Sequence, residues 1–207
     1  MSNDQYQTDF LNSESTVLEL DDACIRFQNN FYSQTEGLEL YKYLLSHIDW
    51  QQETIQVYGK SHLTPRLSCW MGDQYTAYGY THTIMHPVPW NKQVLHIKQK
   101  IEKTTNESFN SVLINYYRNG KDSNGWHSDD EPELGVNPVI ASLSLGAPRD
   151  FHLRHKANKK CTHKMNLTNG SLLMMSGTTQ QYWQHHIPKR AKAEGRINLT
   201  FRTIINR

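Results

Sequence analysis

Apolar positions recur along this chain with two different periods, and the change from one to the other falls near residue 110. From Glu36 onward, Leu38, Tyr41, Leu45 and Ile48 stand at helical spacing, with Ser33 or Thr35 placed to cap the first turn. Val94, Ile97 and Ile101 predict a second amphipathic helix behind a turn marked by Pro87 and Pro89. Beyond it the segments 111–117, 139–145, 150–154, 171–176 and 196–205 are short apolar or alternating runs. Asn119-Gly120, Gly146, Asn169-Gly170 and Ser176-Gly177 punctuate them. Segments 55–59, 65–70 and 75–83 add β-formers ahead of the second helix, the last with Tyr78, Tyr80 and His82 on one face. Helices followed by many short strands predict a mainly β chain with flanking helices (α+β), built as an antiparallel barrel or jelly roll.

Composition narrows the class without changing the fold. A chain of 207 residues, 37% apolar, is long enough for one domain with a sizeable core. Residues 1–16 are polar, acidic and without period, and are expected to be a mobile tail, leaving 17–207 as the folded unit. No apolar run reaches membrane-spanning length, and the first residues lack the basic-then-apolar pattern of a secretory signal. Cys24, Cys69 and Cys161 are odd in number, far apart and without C-x-x-C spacing. They read as reduced thiols of a cytoplasmic protein, or of a nuclear one in a eukaryotic cell. Net charge is +2, but residues 1–25 hold six acidic groups and no Lys or Arg. The remaining chain therefore carries 22 basic against 14 acidic residues, a balance that permits a polyanionic partner. The run 154–164, with Arg154, Lys156, Lys159, Lys160 and Lys164, is expected to be a basic loop between two strands, able to grip phosphates.

The candidate chemistry lies in four stretches. In Trp126-His127-Ser128-Asp129, an imidazole and a carboxylate two residues apart point to the same side of extended chain. A second imidazole from elsewhere would complete a two-His, one-carboxylate facial triad, the ligand set that leaves adjacent positions open on non-haem Fe(II). Gln184-His185-His186-Ile187-Pro188 offers two candidates, which alternation sends to opposite sides. In the last strand Arg196, Asn198, Thr200 and Arg202 share one face, and two arginines so spaced can hold the two ends of a dicarboxylate. Asn115 and Tyr117 share a face just upstream of the H-x-D motif and bring an amide and a phenol to the same site.

Asn115-x-Tyr117, His127-x-Asp129, the His before Ile187-Pro188 and Arg196-x-Asn198-x-Thr200-x-Arg202 together resemble the AlkB family of Fe(II)/2-oxoglutarate dioxygenases. The resemblance runs from about Val57 to Ile204, including Pro65-Arg66, Asp129-Asp130-Glu131, Phe151 and Gly170-Ser171, and favours the branch that repairs alkylated bases in duplex DNA. It implies a double-stranded β-helix over about 108–207 with a nucleotide-recognition lid over about 50–90. His127, Asp129 and His185 would bind iron, His185 being the histidine three residues before the Pro. Arg196, Tyr117 and Asn198 would serve the distal carboxylate of 2-oxoglutarate, and Arg202 and Asn115 the carboxylate beside its keto group. Tyr80 would stack on a flipped base, Tyr78 and Glu131 would contact that base or its sugar-phosphate, and Tyr58 would fill the vacated stack as a wedge. The activity so implied is oxidative demethylation of 1-methyladenine and 3-methylcytosine with Fe(II), 2-oxoglutarate and O₂, releasing formaldehyde and succinate. The partner would be alkylated DNA, duplex or single-stranded, or RNA, met by a monomer away from any membrane. The competing expectations are a related dioxygenase acting on RNA or protein, and a non-catalytic metal-binding barrel that recognises nucleic acid.

Overall fold

A hairpin that the hydrophobic pattern does not announce comes first among the described residues: β1 (Ser15–Leu18) and β2 (Cys24–Gln28) pair antiparallel. The computed structural model describes residues 15–57, 59–74, 76, 78–80, 83–85 and 87–205. Residues 1–14 of the expected tail lie outside these, while Ser15 and Thr16 belong to β1, so the folded unit starts before residue 17. Helix α1 (Gln34–His47) follows, capped by Ser33 rather than Thr35. The Ser33 hydroxyl accepts from the Glu36 N–H, and the Glu36 carboxylate accepts from the Ser33 N–H, a reciprocal box that satisfies two end donors. Two short elements, β3 (Thr54–Val57) and β4 (Lys60–Leu63), form a hairpin. Next come β5 (Leu67–Gly72), β6 (Tyr78–Tyr80), β7 (Thr83–Met85) and α2 (Lys92–Thr105), whose first turn is capped by Asn91. The remainder is β8 (Ser111–Tyr117), β9 (Asn124–His127), β10 (Ile140–Gly146), β11 (Arg149–His155), β12 (Thr162–Leu167), β13 (Ser171–Ser176), the single turn α3 (Thr179–Tyr182), β14 (Trp183–Ile187) and β15 (Arg196–Arg202).

Among the described residues two large antiparallel sheets result, one of seven strands in the order β1-β2-β13-β10-β15-β8-β5 and one of four in the order β12-β11-β14-β9, with β3-β4 and β6-β7 as separate two-stranded pairs. Their crossing order, with sequence-distant strands as neighbours, is the jelly-roll arrangement expected of a double-stranded β-helix. Strand β15 shows how the layers are separated. Ile197, Leu199 and Phe201 are fully buried in one apolar core with Leu40 and Leu44 of α1 and Val94, Ile97 and Ile101 of α2. The second core, with Ile140, Phe151, Leu153, Leu173, Met175 and Trp183, draws its residues from both sheets, and into this layer the even-numbered residues of β15 project.

Four expectations need correction. The buried side of α1 is Gly37, Leu40 and Leu44, not Leu38 and Leu45, which are 45% and 36% exposed. Gly37 is on that side because Asn169 packs against its Cα, and a Cβ there would meet the Asn169 amide at 2.7 Å. The basic run 154–164 is the tip and flanks of the β11–β12 hairpin rather than a loop, since Arg154 pairs with Thr162 and His152 with Lys164 across the two strands. The last strand ends at Arg202, not residue 205. The 50–90 stretch is not all lid: β5 hydrogen-bonds β8 along the edge of the seven-stranded sheet, which also recruits β1 and β2 to the core assigned to 108–207.

Candidate active site

Between the two sheets lies a cavity of about 280 Å³, and the polar residues singled out in the sequence converge on it. Strand β9 ends at His127, and the chain beyond it is tied down twice. The Ser128 hydroxyl donates to the Trp183 carbonyl at 2.9 Å, and the Asp129 N–H donates to Gln180 Oε1 at 2.9 Å. Both anchors sit just before His185 on β14, and His185 is the direct cross-strand partner of His127. The result brings one ligand atom from each of His127, Asp129 and His185 within 4.8 Å of one another.

The hydrogen bonds around the triad fix which atoms face inward. His127 Nδ1 lies 2.8 Å from the Gly125 carbonyl, which can only accept, so Nδ1 carries the proton and Nε2 presents its lone pair, met at 3.3 Å by the Asn124 amide nitrogen. Nε2 stands 3.8 Å from Asp129 Oδ1. The other carboxylate oxygen, Oδ2, accepts from Arg202 Nη2 at 2.9 Å. Burial works to raise the Asp129 carboxyl, but the Arg202 guanidinium and the two imidazoles outweigh it and hold the group well below the usual carboxylate range. Burial, then the neighbouring His127, pushes His185 down to about 3, so its ring is neutral and offers a lone pair. Phe151 stacks on that ring at 5.2 Å. Two imidazoles and one ionised oxygen, converging at a cavity wall, suit a divalent cation such as Fe(II). His186 projects the opposite way, stacked on Trp126 at 3.9 Å and 3.1 Å from His152 Nδ1.

Across the cavity, β15 and β8 pair in register so that Arg196 faces Tyr117 and Asn198 faces Asn115. Arg196 is fully buried; Nη2 donates to Ser144 Oγ at 2.9 Å, while Nε and Nη1 have no hydrogen-bond partner. Burial, partly offset by Tyr117, pushes this guanidinium down to about 10. A buried cation with two unmet donors is expensive unless an anion reaches it, so this end of the cavity fits a ligand carboxylate. Asn198 donates to Ser142 Oγ and to the Leu143 carbonyl, and Asn115 Oδ1 accepts from Arg66 Nε at 2.8 Å. Glu131 also lines the cavity, with Oε2 buried and unpartnered.

The structure thus brings His127, Asp129, His185, Asn115, Tyr117, Arg196, Asn198, Arg202 and Glu131 to one cavity. Tyr58 lies outside the described residues. Tyr78 and Tyr80 are placed by backbone in β6, which pairs with β7, and their side chains lie outside the described ones. Sequence reasoning gave no role to Arg66, whose signal was its place just ahead of β5, alternating with Ser68, which pairs with Asn115. It also passed over Gln180, which no local pattern marks, because its partner is a backbone N–H 51 residues away.

The family described as "2OG-Fe(II) oxygenase superfamily" matches residues 25–202. The chain is 44% identical over 171 residues to the Homo sapiens alpha-ketoglutarate-dependent dioxygenase alkB homolog 3, covering 78% of this chain and 59% of that protein. The Bos taurus homolog of the same name is also 44% identical, over 184 residues that cover 84% of this chain and 64% of the relative. With the Homo sapiens DNA oxidative demethylase ALKBH2 the identity is 36% over 185 residues, covering 84% and 71%. The chain spans less than two thirds of the length of the alkB homolog 3 relatives it matches. The solved structure of OsALKBH1 superposes with a TM-score of 0.64 over 91% of this chain and all of that one, at 16% identity, a likeness of fold.

Proposed function

The chain belongs to the 2OG-Fe(II) oxygenase superfamily and, within it, to the AlkB family, and from that premise we propose that it oxidatively demethylates N-alkylated bases in nucleic acid. The observation that carries this reading is the coincidence, in one cavity, of the His127–Asp129–His185 cluster with the unpartnered donors of buried Arg196. The relatives' names add the substrate class, since ALKBH2 is a DNA oxidative demethylase.

In this reading His127 Nε2, Asp129 Oδ1 and His185 hold Fe(II). Arg196 receives the distal carboxylate of 2-oxoglutarate with Tyr117 and Asn198 beside it, and Arg202 and Asn115 serve the carboxylate next to the keto group. Fe(II) with 2-oxoglutarate and O₂ supplies the oxidising chemistry, in which the co-substrate becomes succinate and CO₂ and the methyl group leaves as formaldehyde. The chain's own contribution is orientation and exclusion of water. Trp70, Leu134, Phe151 and Met175 line the cavity between its polar groups, so that charges inside act in a low dielectric. Glu131 Oε2 offers an acceptor to the amino group or cationic ring of an alkylated base. Tyr80 and Tyr78 stack on and hold the base, Tyr58 fills the stack it leaves, and the basic β11–β12 hairpin meets phosphates. The protein works as a monomer in the cytoplasm or nucleus.

The test is a panel of 1-methyladenine and 3-methylcytosine oligonucleotides, single- and double-stranded DNA and RNA, read by mass loss of the methyl group alongside succinate formation. Loss of the methyl group only when Fe(II) and 2-oxoglutarate are both supplied is the expected result. Succinate formation with no demethylation of any oligonucleotide would point to a protein substrate instead.

A further inference from the structure

Behind Tyr117, outside the cavity lining, sits a second buried guanidinium. Arg149 opens β11 and is fully buried. Nη2 donates to the Asp122 carbonyl at 2.8 Å and to the Pro188 carbonyl at 2.7 Å, Nη1 reaches the Asn119 carbonyl at 3.4 Å, and Nε has no partner. All three acceptors are neutral. The Asp122 carboxylate is turned to Arg118, and among the described residues no carboxylate lies within ion-pair distance of Arg149. A buried cation without a contact ion pair is costly, and the Asp122 and Asp150 carboxylates act on Arg149 only from beyond that distance, offsetting part of the cost of its burial.

Arg149 and Arg196 share one aromatic ring: the Arg149 guanidinium carbon lies over Tyr117 at 5.5 Å from the ring centroid, and that of Arg196 at 5.3 Å. A cation on the face of a phenol draws electron density from the ring and makes its hydroxyl a stronger donor. Two buried cations within 5.5 Å of the centre of one phenol ring, one of them with unmet donors at the cavity wall, favour negative charge at this end of the cavity beyond what one arginine supplies. We propose that Arg149 is a positioning residue that acts through Tyr117, and through the 119–122 and Pro188 backbone it fastens, to set the preference of the co-substrate site for a doubly charged 2-oxo acid. The inference rests on the co-substrate reading given above.

The test compares two ligands on Mn(II)-loaded protein by calorimetry, so that binding is read without turnover. One is 2-oxoglutarate, and the other is 2-oxopentanoate, which differs only in carrying a methyl group in place of the distal carboxylate. Arg149→Gln keeps amide donors for the Asp122 and Pro188 carbonyls but removes the charge; Arg149→Lys keeps the charge but loses the fork. Arg149→Gln is expected to weaken 2-oxoglutarate by roughly tenfold and to leave 2-oxopentanoate within a few fold, while Arg149→Lys largely keeps the wild-type ratio. Melting curves check that each variant is folded. An unchanged ratio in Arg149→Gln, or equal weakening of both ligands in the two variants, would reduce Arg149 to a packing residue. Should Arg149→Gln not fold, Arg149→Lys decides: a folded Lys variant that loses the ratio overturns the proposal, and one that keeps it supports charge as the cause. Failure of the wild-type protein to bind 2-oxoglutarate at all would instead remove the co-substrate reading.

Discussion

Arg202 stands on one oxygen of Asp129, with Nη2 at 2.9 Å and Nε at 3.3 Å from Oδ2, and this leaves Oδ1 as the oxygen that faces His127. A carboxylate committed in this way would offer a metal ion a single ligand atom and leave room for other ligands. The pairing also explains why the carboxylate stays ionised although it is almost fully buried.

Removing the guanidinium should therefore be felt at the metal. Arg202→Met is expected to weaken Mn(II) binding about 10- to 100-fold, the usual cost of losing a group that orients a ligand. Calorimetric titration with Mn(II) in the absence of co-substrate gives the number. Wild-type affinity in the variant would mean that Arg202 serves the co-substrate alone.

The corrected packing face of α1 gives a stability prediction with opposite outcomes at adjacent leucines. Leu44 has no exposed surface, whereas Leu45 is 36% exposed. Leu44→Ala should cost about 3 kcal/mol through lost burial and an unfilled cavity, and Leu45→Ala less than about 1 kcal/mol. Urea midpoints at constant slope would measure both.

That pair also shows where the sequence was legible. Strand β15 could be read because its alternation is strict and its two faces differ in chemistry, Ile197, Leu199 and Phe201 against Arg196, Asn198, Thr200 and Arg202. Helix α2 was equally plain, since Val94, Ile97 and Ile101 are its apolar core side and all are fully buried. In α1 apolar residues surround most of the helix, so spacing alone admits several stripes, and the true one is selected by Gly37 meeting Asn169 across 132 residues. The β11–β12 hairpin was obscured for a different reason. The outward residues of β12 are Thr162, Lys164 and Asn166, and its inner face opens on His163 rather than an apolar residue, so only Met165 and Leu167 mark the strand. The convergence of His127, Asp129 and His185 was legible through spacing and resemblance, whereas Gln180 and Arg149, which hold the site in shape, act through backbone contacts that leave no motif.

Asp122, whose backbone carbonyl is held by Arg149, offers a pH-dependent signature near the Tyr117 end of the cavity. Its carboxylate accepts from Arg118 Nε at 2.7 Å, Nη2 at 3.0 Å and the Arg118 N–H at 3.0 Å. Burial would raise this carboxyl, yet these contacts hold it below its ordinary value. A folded-state carboxyl more acidic than the unfolded one contributes its full stability above the unfolded value of about 4, and that contribution is lost as the pH falls through the folded value. Asp122→Asn should therefore cost about 2 kcal/mol at pH 7, with the gap to wild type closing as the pH falls below about 4. Denaturant titrations across that range test it; a gap that stays constant would show that the carboxylate's charge contributes nothing.

The sharpest test of the site is the contrast between two neighbouring histidines. On β14 successive side chains leave opposite faces, and a slip of one residue would exchange every side chain between cavity and exterior. His185 is 6% exposed, pairs across the sheet with His127 and belongs to the ligand cluster. His186 lies on the other face, in contact with Trp126 and His152. His185→Ala should abolish both Mn(II) binding and succinate formation, because two remaining ligands do not hold the ion against water. His186→Ala forfeits a stacking contact and one hydrogen bond, worth about 1 kcal/mol, so its melting temperature should drop by about 2–4 °C with metal binding and turnover within a few fold of wild type. Calorimetry with Mn(II), a melting curve and a succinate assay on the two variants would separate these outcomes. An active His185→Ala beside an inactive His186→Ala would mean that β14 runs one residue out of the register described, and that the cavity is lined by the other face of the strand.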